Sequence, residues 1–182
     1  MPPVKSRKTI DYSQALSRCA SLCERSEQCT PDLLNKMSRW GVSRTNANRV
    51  IRELKRMRFV NDQRYAHAYT HDKLCFSGWG RYKIMNGLMA KRLPREIIET
   101  ALENIDDDEY RDTLNRLISA QLRPLDGEMP DYTTRMKIMR SLVQKGFETA
   151  IVIEAVKSEL SRLQEELEAY DNVEESEILI DD

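Results

Sequence analysis

Apolar residues recur along this chain at helical spacing, in a pattern that is written three times. An apolar pair three residues apart is followed, five residues after its second member, by another apolar residue. The copies are Leu34 and Met37 with Val42, Met85 and Leu88 with Leu93, and Met139 and Leu142 with Phe147. Beyond each copy a second apolar series follows at matching offsets: Ala47 and Ile51, Ile98 and Leu102, Val152 and Val156. Met37, Leu88 and Leu142 are therefore equivalent positions, and a period of roughly 50 residues is that of a helical repeat array.

The elements between these anchors read as helices throughout. Ala15, Leu16, Cys19, Leu22 and Cys23 give a first stripe from Tyr12 to Glu24. Thr30-Pro31-Asp32 opens a second helix, with Thr30 as its cap, and Gly41 ends it. Ser43 caps a third helix with the stripe Ala47, Val50, Ile51 and Leu54. Asn61-Asp62 starts the next repeat, Ser77-Gly78 breaks it, and Leu93-Pro94 opens the helix of Ile97, Ile98, Ala101 and Leu102. The acidic run 106–109 leads a helix through Leu114, Leu117 and Ile118, and Asp131 caps the following one. In the last helix the stripe continues through Leu160, Leu163 and Leu167, two or three turns past the repeat. Carboxylates at helix starts, Asp32, Asp62 and Asp131, are explained as caps.

The expected fold is all-α: an elongated array of three tandem three-helix repeats with a disordered acidic C-terminal tail. The segments are a disordered basic N-terminus (1–11), repeats at 12–58, 59–105 and 106–164, and the tail at 165–182. One module is too small to bury its own apolar faces well, so neighbouring modules must stack.

Charge changes this picture more than composition does. The net charge of -1 conceals an asymmetry, since the last eighteen residues hold nine acidic and no basic side chains. A basic body with an acidic tail points to a polyanionic partner for which the tail competes, or to a solubilising tail. No apolar run suits a membrane span, and the basic N-terminus lacks the apolar segment of a signal peptide, so a cytoplasmic protein is expected.

Candidate chemistry is thin. Cys19 and Cys23 fall on an apolar stripe and read as small buried hydrophobes. His67, His71 and Cys75 stand at successive turns of one helix and could meet a metal ion, but the sequence nominates no fourth ligand. No phosphate loop, dinucleotide fingerprint, nucleophile elbow or zinc-protease motif occurs, so neither an enzyme nor a cofactor is expected.

Basic residues remain. Arg49, Arg52, Lys55 and Arg56 share one face of the third helix; Arg81, Lys83, Lys91 and Arg92 occur in the second repeat, and Lys137, Arg140 and Lys145 in the third. Lys83 and Lys137 are equivalent positions, as are Lys91 and Lys145, so a stacked array would carry a basic stripe suited to a phosphate backbone. Arg81 and Lys83 are expected to face outward.

Two stretches resemble the bacterial RecX recombination regulators over residues 12–158. One is Phe59-Val60-Asn61-Asp62-Gln63-Arg64-Tyr65-Ala66, similar to that family's apolar-Asp-x-x-aromatic-Ala junction. The other is Trp79-Gly80-Arg81-x-Lys83-Ile84, with the later Lys-Gly-apolar turn at Lys145. Arg25-Ser26-Glu27 resembles the family's Arg-Ser turn, followed here by an insertion, Gln28 to Pro31. Arg92 stands where the family often has Gly, so the second repeat is expected to cap differently. The resemblance implies a tripartite three-helix fold. It further implies a monomeric, non-enzymatic protein that binds RecA recombinase filaments on single-stranded DNA in their helical groove and mainly inhibits them. DNA contacts would be sequence-tolerant and salt-sensitive. The alternative is a stand-alone helix-turn-helix DNA-binding protein with Ser43–Arg56 as its recognition helix.

Overall fold

A computed structural model describes residues 10–125 and 128–178. Nine α-helices form among these residues, with no strand: α1 (Tyr12–Arg25), α2 (Thr30–Arg39), α3 (Arg44–Arg56), α4 (Asp62–Cys75), α5 (Arg81–Ala90), α6 (Arg95–Glu103), α7 (Asp107–Leu122), α8 (Tyr132–Gln144) and α9 (Thr149–Ile178). A short 3-10 turn, Arg123–Leu125, follows α7.

The repeat phase read from the sequence is the burial phase of the fold. Met37, Leu88 and Leu142 are each fully buried, and Val42, Leu93 and Phe147 are buried five residues later. The turn between the two series is also repeated in its backbone. Gly41, Arg92 and Gly146 take left-handed φ values of 78, 57 and 90°. Their N–H groups close the helix on the carbonyls of Ser38, Met89 and Val143. Arg92 was expected to make the second repeat cap differently; instead it adopts the glycine conformation and bears the steric cost of a Cβ there. Arg92→Gly should therefore raise stability by about 1 kcal/mol in urea denaturation.

Packing divides the chain into two compact units, and the middle helices are shared between them. One unit takes residues up to His71 together with Met85–Asn104. Its main core is formed by α1, α2 and α3 around Ala15, Cys19, Leu33, Met37, Val50 and Leu54. The other takes Asp72–Ile84 and everything from Ile105. Here α7, α8 and α9 pack together, and the Tyr110 and Phe147 rings meet at 5.1 Å between centroids.

Several helix starts differ from the sequence expectation. Asp11, assigned to a disordered N-terminus, is the N-cap of α1 in a complete capping box with Gln14, and Ile10 packs on the core. Residues 1–9 lie outside the described residues. Thr30 does not cap α2: Cys29 holds the cap position without a side-chain bond, and Thr30 is the first helical residue. Asn61 caps α4 by accepting from Gln63 and Arg64. Asp62 is thereby released, and it accepts the Thr30 N–H and hydroxyl, each at 2.7 Å. The open end of α2 is thus capped from α4, across thirty-two positions of sequence. Ser43 and Asp131 cap as expected. At the C-terminal end, α9 continues to Ile178 through most of the acidic segment expected to lack structure; residues 179–182 lie outside the described residues.

Candidate nucleic-acid interface

The basic residues fall into two classes once their partners are seen. Some are engaged within the protein. Lys55 pairs with Asp62 at 2.9 Å and Arg56 with Glu53 at 2.6 Å. Lys91 pairs with Asp32 at 2.7 Å, so Asp32 anchors a lysine of α5's end and does not serve only as a helix-start charge. Arg81, expected to face outward, is half-buried. Its guanidinium lies over the Tyr110 ring at 4.0 Å and pairs with Asp107 at 2.8 Å and Glu148 at 3.4 Å. Tyr110 donates its hydroxyl to Glu148 and accepts from the Arg81 backbone N–H. Burial, reinforced by the Glu148 bond, raises the Tyr110 pKa, so the phenol stays protonated and the network intact at neutral pH.

The second class is available. Arg52, Arg92, Lys137 and Arg140 are exposed, and no carboxylate among the described residues pairs with them. Arg49 is exposed and lies over the Tyr12 ring at 4.8 Å. Lys83 lies over the Trp79 ring at 4.7 Å. Lys83 and Lys145 are brought to neighbouring backbone positions, because the α8–α9 turn at Gly146 abuts the Lys83 backbone. The equivalent pairs foreseen from the repeat are not used alike. Lys91 is ion-paired where Lys145 is not, and Lys83 covers a ring where Lys137 stands in solvent.

The motif Trp79-Gly80-Arg81 owes its form to backbone contact. A Cβ at Gly80 would lie 2.3 Å from the carbonyl group of Gly146 and the nitrogen of Phe147. Gly80 N–H donates to the Lys145 carbonyl at 2.9 Å, and Tyr82 N–H to the Gly146 carbonyl at 3.1 Å. The start of α5 is therefore docked on the α8–α9 turn, and this contact explains why the sequence has glycine on both sides.

The metal reading loses His67, which belongs to no group of three ligating side chains among the described residues. The Cys75 thiol donates to Glu109 at 3.0 Å. Burial, joined by that bond and by the Glu109 charge, pushes the thiol up to about 11. Burial likewise raises Cys19 to about 11, and Cys19 and Cys29 are fully buried, as small hydrophobes are. Two aromatic residues that the sequence left unassigned, Phe76 and Tyr82, are exposed at the start and end of the α4–α5 turn. Tyr82 lies out of phase with the buried stripe of Ile84 and Leu88, whereas nothing in the spacing marks Phe76.

No helix among the described residues is long and apolar enough to cross a membrane. Residues 61–102, the span from the α4 cap to α6, match the family model described as RecX, second three-helix domain. A regulatory protein RecX of Clostridium perfringens is 29% identical over 142 residues, covering 78% of this chain and 66% of the relative. This chain thus spans about two thirds of that relative's length. The Clostridium beijerinckii regulatory protein RecX is 24% identical over 155 residues, covering 82% of this chain and 72% of its own. Among solved structures, RecX from Lactobacillus salivarius superposes with a TM-score of 0.71 at 20% identity, over 81% of this chain and 95% of that one. A second RecX crystal structure gives 0.68 at 19%, over 81% and 71%; at these identities the likeness is one of fold. With the family model on the middle helices, relatives at 24–29% identity along most of the chain and the same helical fold, this chain is similar to RecX proteins over most of its length.

Proposed function

We propose that this protein is a non-enzymatic regulator that binds RecA recombinase filaments on single-stranded DNA and mainly inhibits their ATPase and strand-exchange activities. The observation that carries the reading is the similarity to regulatory proteins RecX together with cations left over after internal pairing. Arg52, Arg92, Lys137 and Arg140 have no carboxylate partner among the described residues. Guanidinium and ammonium groups of this kind can neutralise phosphates and release counterions, giving sequence-tolerant, salt-sensitive binding. The protein acts in the cytoplasm as a monomer seated in the filament groove, where RecA and DNA surfaces are adjacent. No cofactor or metal is required.

The test is RecA's DNA-dependent ATPase and strand exchange with the purified protein added in molar excess. Unchanged activities would overturn the proposal. The DNA component has its own expected outcome. Reversing Arg49, Arg52 and Arg56 to glutamate should weaken single-strand binding on every sequence alike and lower the salt slope by roughly two to three units. Fluorescence anisotropy at several salt concentrations measures both. A footprint confined to one operator sequence would instead favour α3 as the recognition helix of a stand-alone repressor-like protein.

A further inference from the structure

The turn between α4 and α5 carries two aromatic side chains in an unusual setting. Phe76 is 81% exposed and Tyr82 is 56% exposed. A phenylalanine exposed to this degree forgoes most of its burial free energy. The turn that presents these rings is tightly held. Phe76 N–H bonds to the Asp72 carbonyl at 3.1 Å, Gly78 N–H to Leu74 at 3.1 Å and Trp79 N–H to Lys73 at 2.9 Å. Gly78 sits at φ 61° beneath the Leu117 side chain, and Gly80 is bonded to Lys145. Tyr82 thus follows a docked helix start and Phe76 ends a bonded helix, so little backbone freedom is lost when a ligand meets them.

The charge around the turn is positive. Between Phe76 and Tyr82 in the sequence, the Trp79 ring lies 4.9 Å from the Lys73 ammonium and 4.7 Å from that of Lys83. Arg116 reaches the same turn by donating to the Cys75 carbonyl at 2.8 Å. The carboxylates nearby are Asp72, on α4, and Glu109, which holds the Cys75 thiol. Exposed rings beside cations on a rigid turn match a ligand that offers flat apolar faces and negative charge together. Unpaired bases on a phosphate backbone are that ligand, since stacking tolerates any base while the cations follow the phosphates. A duplex hides its base faces and cannot use the rings.

We propose that Phe76 and Tyr82 form a stacking platform for unpaired nucleotides, with Lys73 and Lys83 neutralising the adjoining phosphates. This deepens the single-strand binding in the reading above and rests on it. It differs from the general basic surface in assigning part of the affinity to bases and not to charge.

The experiment pairs a protein change with a ligand change. Binding of a fluorescent oligo-thymidine and of the same strand made abasic is measured with the wild-type protein and with Phe76→Ala, Tyr82→Ala. The expected wild-type result is tighter binding of the strand with bases, by roughly tenfold or more for each stacked base. The double variant should bind both strands with the affinity the wild type has for the abasic one. Its salt slope should be unchanged, because no phosphate contact is removed, whereas Lys73→Gln with Lys83→Gln should lower that slope. Equal wild-type affinity for the two strands overturns the platform while leaving backbone binding in place. A variant that keeps the preference for bases also overturns it. A variant that loses only RecA inhibition identifies the turn as a protein-docking surface and overturns it too. No single-strand binding by the wild-type protein sinks this proposal and the DNA part of the proposed function together.

Discussion

Gly80→Ala is expected to destabilise the protein by about 3 kcal/mol, at the upper end of the range for overpacked sites. The added methyl would lie 2.3 Å from backbone atoms of Gly146 and Phe147, which cannot rotate away as a side-chain tip could. Relief requires moving the start of α5 off the α8–α9 turn. That movement strains the Gly80–Lys145 and Tyr82–Gly146 backbone bonds and disturbs Arg81, whose guanidinium holds Asp107 and Glu148 against Tyr110. The midpoint of urea unfolding should fall while the secondary structure of the remaining native protein is unchanged. A loss below 1 kcal/mol would mean that the two turns do not touch in solution.

The second large effect belongs to Asp62. Its side chain is only 11% exposed, and it receives the Thr30 N–H, the Thr30 hydroxyl and the Lys55 ammonium. Burial by itself raises the pKa of this carboxyl, but the two Thr30 bonds and Lys55 outweigh burial and hold it below its ordinary value of 3.8. Asp62→Ala leaves the first N–H of α2 and the lysine without their acceptor and should cost about 2 to 4 kcal/mol at pH 7. The folded-state pKa is lowered, so the stabilisation is present above the unfolded carboxyl's pKa. It is lost as pH falls through the folded value, within the acid range below about 4. Asp62→Asn keeps an acceptor for Thr30 but cannot titrate. The gap between wild type and Asn should therefore hold constant from pH 7 to about pH 5 and narrow only as pH falls further, toward pH 3. A gap of constant size across that range would show that the charge on Asp62 contributes nothing.

These two residues mark where reading the sequence succeeds and where it stops. Asp62 reads as a cap of the helix it begins, but Asn61 caps that helix and Asp62 caps α2 instead. Which helix it caps was invisible, since Thr30 lies thirty-two positions away and only the packing of α4 brings the two together. The same limit applies to the cations. Arg49 and Arg52 face solvent on α3, as the helical period implies, but Lys91 and Arg81 meet Asp32, Glu148 and Asp107 across the fold and are largely spent there. Charge pairing acts through space, so a count of basic residues overstates what is free to meet phosphate. Phe76 was missed for the opposite reason: an aromatic residue near a buried stripe is ordinarily read as core, and only its accessibility separates a packing ring from a presented one.

The helices, their apolar phase and the spacing at which that phase recurs are legible in the chain alone. Those depend on apolar side chains at helical intervals and on turn chemistry within a few residues, and they placed Met37, Leu88 and Leu142 in the core. Also legible are the stretches Phe59–Ala66 and Trp79–Ile84, which resemble RecX proteins. Packing in three dimensions is what makes Gly80 a glycine for the sake of another turn's backbone, and it sets which lysines and arginines remain unpaired. The Gly80 contact and the ion pairs are made with residues distant in sequence, and nothing in local propensity encodes which distant partner arrives.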